Sequence, residues 1–226
     1  MSNFKKALGF IALSIAIFIG IVDGTIVNIA LPDITTYFHK TLSDTSWIST
    51  IYMLSVSVFM ITASKLADIF GRKKIMLLGL TLFGVSSALC GFSHSLIVLI
   101  AMRFIQGIGG AIITPVVVPM GIEILGKENL HPVAAAIGAI SGLAAASGPP
   151  IGGLIIEYFN WQSIFFLNVP FAIIAFIIIA LFTNESYDKT ISKDVDIIGT
   201  ILLTAALFLL VFSLLRGNVY GWKSLK

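Results

Sequence analysis

Residues 7–31 read ALGFIALSIAIFIGIVDGTIVNIAL, a run whose one ionisable side chain is Asp23. A helix needs about 20 mostly apolar residues to cross a bilayer, and this stretch exceeds that. Six further stretches of the same character follow at 47–66, 75–92, 96–124, 133–156, 164–182 and 197–215. Pro32 is expected to stop the first span, and Pro132 to open the fifth in its first helical turn. The runs are continuously apolar rather than alternating, which excludes a spanning β-barrel. The fold class is therefore an all-α membrane protein. The opening Phe4-Lys5-Lys6 imitates a secretory leader, but the apolar run behind it is too long, lacks a small-x-small cleavage site and carries an acid.

Composition agrees. Of 226 residues 58% are hydrophobic and only 11% charged, against about 25% charged in an ordinary soluble domain. That excludes a soluble globular domain, a disordered chain and a nucleic-acid binder. A net charge of +3 is too small to call for an anionic partner. Cys90 is the only cysteine, so no internal disulfide and no multi-cysteine metal site is possible. His39, His94 and His131 show no ligand spacing, and no cofactor is expected.

Orientation follows from lysine and arginine. With the N-terminus inside, Lys5, Lys6, Lys65, Arg72, Lys73, Lys74, Lys127, Lys189 and Lys193 are cytoplasmic, and Lys40, Arg216, Lys223 and Lys226 are outside. This bias favours a multi-pass protein of the cell membrane with a cytoplasmic N-terminus. Trp47, Trp161, Tyr220 and Trp222 fall at outer boundaries, as an aromatic belt would. The longest polar stretch, 184–196, separates six spans from the seventh. The expected organisation is a six-span bundle at 1–183, a cytoplasmic linker at 184–196, and a seventh span with an outer tail at 197–226.

Charge inside a bilayer costs several kcal/mol and marks function by default. Asp23 in span 1 and Arg103 in span 4 each lie eight residues from the outer end of their span, about 12 Å deep at 1.5 Å per residue. Tyr52 in span 2 sits at a similar depth. Asp23 and Arg103 can therefore face each other in a bundle interior. Two readings stand: a structural ion pair that locks spans 1 and 4, or a titratable acid whose proton affinity changes when the pair is broken or hydrated.

Spans 2 and 3 are joined by Ser64-Lys65-Leu66-Ala67-Asp68-Ile69-Phe70-Gly71-Arg72-Lys73-Lys74. Gly71 permits a tight turn, and Asp68 can accept N–H groups at a neighbouring helix N-terminus. The plainer reading is a basic topogenic loop. Span 5 contains Gly148-Pro149-Pro150-Ile151-Gly152-Gly153. Its prolines should kink the helix and its small residues should let a partner helix approach; ordinary small-residue packing is the plainer alternative. Span 4 carries Arg103-Phe104-Ile105-Gln106-Gly107-Ile108-Gly109-Gly110, then Pro115, Pro119 and, near the cytoplasmic face, Glu123. No strand precedes its glycines, so they are not a dinucleotide site.

Together these stretches resemble the major facilitator superfamily, and within it the 14-span drug:proton antiporter branch of EmrB/QacA type. Four motifs carry the resemblance: Asp23-Gly24-Thr25-Ile26-Val27-Asn28-Ile29-Ala30-Leu31-Pro32; the loop from Leu66 to Lys74; Arg103 to Gly109; and Gly148 to Gly153. Trp161 to Phe165, Asn168-Val169-Pro170 and Gly221-Trp222 also fit. Ser64, Ala144 and Gln162 depart from the family pattern, which has Gly, Gly and Arg there. The likeness covers the whole chain but only the first half of the family's length.

The resemblance implies a six-helix facilitator bundle plus a seventh span, and efflux of small amphipathic or cationic drug-like compounds driven by proton entry. Asp23, Arg103, Tyr52, Asn28 and Gln106 would line the proton-coupling and substrate pathway. Asp68, Gly71 and Arg72 would form the cytoplasmic gate loop, with Glu123 as a charge partner of Arg72. Gly148, Pro149, Pro150, Gly152 and Gly153 would form the antiporter helix motif, a hinge against a missing second half. The proton is the coupling ion and no other cofactor is implied. A half-length chain raises a rival: a membrane fragment that transports nothing unless it meets a second half or a second copy. It also predicts that the span-5 glycines lack a packing surface and that Asp23 and Arg103 meet lipid. A seven-span receptor does not need these motifs, and span 7 has no lysine to carry retinal. An intramembrane enzyme lacks its nucleophile–base or metal set.

Overall fold

The computed structural model describes residues 2–188 and 197–220. Its elements are α1 (Asn3–Phe38), the single-turn α2 (Leu42–Thr45), α3 (Trp47–Phe70), α4 (Arg72–Gly91), α5 (Leu96–Leu125), α6 (Leu130–Tyr158), α7 (Ser163–Phe182) and α8 (Ile197–Tyr220). A 3₁₀ turn, Lys127–Asn129, leads into α6. Among the described residues six helical stretches are long and apolar enough to cross a membrane, α1 to α7 with α2 continuing into α3. The span expected at 197–215 falls on α8, whose apolar stretch Ile201–Leu210 is described. The linker residues 189–196 and the tail 221–226, with Lys189, Lys193, Trp222, Lys223 and Lys226, lie outside the described residues.

Helix α1 is central and packs against α3, α5, α6 and α7. It also corrects an expectation. Pro32 does not stop it; the helix runs on to Phe38 and ends where His39 turns into the left-handed region at φ 51°. Proline deletes one backbone donor and strains one preceding turn, a local loss that a long packed helix absorbs. Pro115, Pro119, Pro149, Pro150 and Pro170 likewise sit inside helices.

Two apolar layers fill the interior. One, at the end bearing Gly71, includes Leu13, Met76, Leu80, Phe83, Ile113 and Met120. The other, at the Trp161 end, includes Ile26, Ile34, Ile48, Leu99, Ile164 and Phe165. The polar cluster described below lies where the layers meet. Small residues set the helix spacing. A Cβ on Gly109 would stand 2.7 Å from the backbone nitrogen of Phe83 and 2.9 Å from the carbonyl of Gly79, so α4 and α5 touch backbone to backbone.

The span-5 motif has a packing surface after all. A Cβ on Gly148 would overlap Thr25, and one on Gly152 would stand 2.8 Å from Ile26, so both glycines seat α6 against α1 of the same chain. The expectation that they would find no partner is overturned, because each replaces a side chain with room for the neighbouring helix. Pro149, Pro150 and Gly153 lie on the exposed face of α6. Helix α8 packs on α3; Ile201, Ala205 and Phe208 line an open groove with Leu54, Val58 and Phe104.

Replacing Gly109 by Val should force α4 and α5 apart and lower stability by about 1–3 kcal/mol, the usual cost of overpacking. Thermal unfolding in detergent measures this; an unchanged transition would show that the contact is not tight.

Candidate functional site

Asp23 and Arg103 meet, both 0% exposed, as an ion pair between Oδ2 and Nη1. Further groups on α3, α5 and α7 hydrogen-bond to the pair. Asp23 Oδ1 accepts from Gln106 Nε2 at 3.0 Å and Asn168 Nδ2 at 2.7 Å. Arg103 donates from Nη1 to Gln106 Oε1 at 2.8 Å and from Nε to the carbonyl of Ile48 at 3.2 Å. Its guanidinium carbon lies 4.1 Å from the centroid of the Tyr52 ring and 5.7 Å from that of Phe165. Tyr52 is held there by donating to the carbonyl of Gly20 at 2.9 Å. Arg103 Nη2 is buried without a hydrogen-bond partner.

The cluster therefore draws on α1, α3, α4, α5 and α7. Its α4 members are Ser87, which accepts from Gln106 Nε2 and Asn168 Nδ2 at 3.1 Å each, and Cys90, whose thiol donates to Gln106 Oε1 at 3.8 Å. The sequence reading that Asp23 and Arg103 share one depth and one interior is met. The expectation that they would face lipid is overturned: α3, α4, α5 and α7 close over them within this chain, because neighbouring amides and rings supply what lipid cannot.

Of the residues assigned to the pathway, the structure brings together Asp23, Arg103, Tyr52 and Gln106. Asn28 stands apart, exposed, accepting from Ser49 Oγ at 2.8 Å. Five residues after Asp23 on a helix, it points to a different face. Ser87 and Asn168 were not singled out from sequence. Asn168 had a signal, as the only amide in the apolar span 164–182. Ser87 had none, since serine is common in membrane helices.

At the α3–α4 junction Gly71 adopts φ 113°, a conformation that side chains resist. Arg72 pairs with Asp68 one turn earlier, Nη2 to Oδ1 at 2.8 Å and Nε to Oδ1 at 2.9 Å. This corrects the pairing of Arg72 with Glu123. The guanidinium is taken by the nearer carboxylate, and exposed Glu123 instead borders a small cavity with Met120, Asn184 and Ser186. The carboxylate that meets a helix N-terminus is Glu185, absent from the sequence reading. It accepts from the backbone of Lys73 at 2.8 Å and of Lys74 at 3.2 Å. Lys73 Nζ reciprocates, donating to the carbonyls of Ala180 and Thr183 at the end of α7. Charges of opposite sign thus cap opposite helix ends.

The cluster holds one acid and one cation in dry surroundings, with no nucleophile beside a base. Among the described residues no three His, Cys, Asp or Glu side chains converge as a metal site would require. A helical bundle with such a pair suits a transporter. The chain belongs to the Major Facilitator Superfamily, which it matches over residues 13–224. It is a multi-pass membrane protein of a transporter family rather than an enzyme.

Among its relatives, the tetracenomycin C resistance and export protein of Streptomyces glaucescens is 34% identical over 222 residues, 96% of this chain and 40% of that protein. The multidrug transporter protein MdtP of Bacillus subtilis is 37% identical over 222 residues, 97% of this chain and 40% of its own length. The multidrug resistance protein Stp of Mycobacterium tuberculosis is 31% identical over 227 residues, 99% of this chain and 42% of its own. The chain spans about two fifths of the length of these relatives.

Two outcomes follow from this geometry. Arg103→Met should cost about 3–5 kcal/mol by stranding Asp23, while Asp23→Leu with Arg103→Met should recover most of it; thermal melts of the three proteins decide. Gly71→Val should cost about 1–3 kcal/mol, because the φ is strained and the new Cβ would stand 2.6–2.8 Å from the Glu185 carboxylate. A wild-type melt for Gly71→Val would show that the junction relaxes freely.

Proposed function

We propose that this chain forms the N-terminal half of a proton-coupled exporter of small amphipathic or cationic compounds, in the 14-span drug:proton antiporter branch. The observation that carries the reading is the wholly buried Asp23–Arg103 pair, which joins α1 to α5. The names of the relatives support export of drug-like molecules.

The proposed mechanism starts from charge. With Asp23 ionised, Arg103 is neutralised and the interior is locked. A proton arriving at Asp23 removes the negative charge and leaves Arg103 as a lone cation in a dry interior, where it costs several kcal/mol. That cost is relieved by moving α1 relative to α5, toward a state in which the guanidinium finds water or another anion. Tyr52 offers its ring to the cation in the meantime. Proton entry thereby favours a second conformation, as an exchanger requires.

The remaining parts serve the motion. The Asp68–Gly71–Arg72 turn would act as the cytoplasmic gate, with Glu123 available to Arg72 once Asp68 is withdrawn. Gly148 and Gly152 would let α6 slide on α1, while Pro149, Pro150 and Gly153 face a second bundle. Asn28, exposed beside Ser49, would contact substrate. Alternating access in such folds rocks two repeats about a site at mid-membrane, so the working transporter needs a second bundle, from the rest of a longer chain or from a second copy. In the cell membrane the N-terminus would be cytoplasmic and Trp161 outside, a reading supported by the lysine and arginine bias.

In cells carrying this chain joined to a complete second bundle, Asp23→Asn should insert normally yet lose efflux that responds to an imposed pH gradient. Substrate accumulation measured with and without the gradient tests this. Wild-type gradient dependence in Asp23→Asn would leave the pair a purely structural lock.

A further inference from the structure

The hydrogen bonds around Asp23 run in one direction, and the Ser87 hydroxyl helps to set it. Ser87 Oγ donates to the carbonyl of Phe165 at 2.8 Å. Its proton is thereby committed, and its oxygen can only accept. It accepts one N–H from Gln106 and one from Asn168. Each amide then has its second N–H left for Asp23 Oδ1. The amide oxygen of Gln106 is turned away and held by Arg103 Nη1 and the Cys90 thiol. Asp23 therefore faces three donors: two amides and the guanidinium.

We propose that Ser87 is the positioning residue that orients Asn168, and with Arg103 also Gln106, so that only donors face the Asp23 carboxylate in this conformation. The inference rests on the reading of Asp23 as the proton-coupling acid. A neutral carboxyl must donate its O–H, and the cluster turns only donors toward it. To receive a proton there, an amide must invert and present its oxygen. An inverted Asn168 would also set its oxygen against the Ser87 oxygen, which is tolerable only if the Ser87 proton leaves Phe165. Proton uptake at Asp23 and rotation of the Ser87 hydroxyl are therefore one event. Gln106 is held in the same direction by Arg103 and Cys90 as well, whereas Asn168 depends on Ser87. The titratable and charged groups of the helices packed on Asp23 are Tyr52 on α3 and Arg103 on α5 at its own depth, with Cys90 on the adjoining α4. The rest sit toward helix ends: Asp44 on α2, Lys65 and Asp68 on α3, Arg72, Lys73 and Lys74 on α4, Glu123 on α5, His131, Glu157 and Tyr158 on α6. Helix α7 has none.

The test follows the protonated carboxyl of Asp23 by infrared spectroscopy of the full chain in lipid, its band assigned by loss in Asp23→Asn. In Ser87→Ala Asn168 is free to invert, and the midpoint of the band should move up by about one pH unit, the scale of one charge-assisted hydrogen bond. Ser87→Thr, which keeps the hydroxyl, should restore the wild-type midpoint. Asn168→Ala, which removes one donor, should shift it in the same direction as Ser87→Ala and serves if that variant fails to fold. Equal midpoints in wild type, Ser87→Ala and Asn168→Ala, or no band in any of them, would overturn the proposal. These outcomes separate from the coupling reading. A shifted midpoint with efflux indifferent to Asp23→Asn would refute coupling alone. Unshifted midpoints with efflux lost in Asp23→Asn would refute only the role of Ser87.

Discussion

Everything in this bundle is arranged around one difficulty: a carboxylate and a guanidinium must exist out of water. Moving either ion from water into a dry interior costs several kcal/mol, and their attraction offsets that only when their remaining hydrogen-bonding positions are also filled. Gln106, Asn168, the carbonyl of Ile48 and the face of Tyr52 fill most of these positions, and only Arg103 Nη2 is left without a hydrogen bond. No single helix could satisfy the pair. These five helices thus have to close in one register, because sliding α1, α3, α4, α5 or α7 by a turn would break hydrogen bonds of the cluster.

Close approach makes that register reachable. Short side chains such as Ser87 and Asn168 can reach across only if backbones nearly touch. Gly109 against Gly79 and Phe83, and Gly107 against the carbonyl of Tyr52, bring α5 to both neighbours. In lipid there is no hydrophobic drive between helices, so van der Waals contact at small residues and a few interhelical hydrogen bonds carry the association. The glycines and the polar cluster are therefore two sides of one packing solution.

The same logic recurs at the Gly71 end. Lysine in the first turn of a helix sits at the wrong pole of its own dipole. Lys73 avoids this by reaching the carbonyls that end α7, while Glu185 from beyond α7 reaches back to the N–H groups that begin α4. The exchange ties two helices at the point where Gly71 turns the chain through a positive φ.

Apolar run lengths were enough to read the helices, since a membrane span must satisfy its backbone within itself. The equal depths of Asp23 and Arg103 were also legible, because a helix advances by a fixed rise per residue. Proline at Pro32 misled, since the loss of one donor is judged by what packs around it and not by the residue itself. Glu123 misled for a related reason: which carboxylate reaches Arg72 depends on a three-dimensional distance, and Asp68 was closer. Only the tertiary structure decided that Gly148 and Gly152 face α1, that Asn28 stands outside the cluster, that Ser87 and Asn168 join it, and that Glu185 meets the start of α4. A serine or an amide in an apolar helix is chemically neutral in sequence. It acquires a role when packing removes water and leaves one partner within reach.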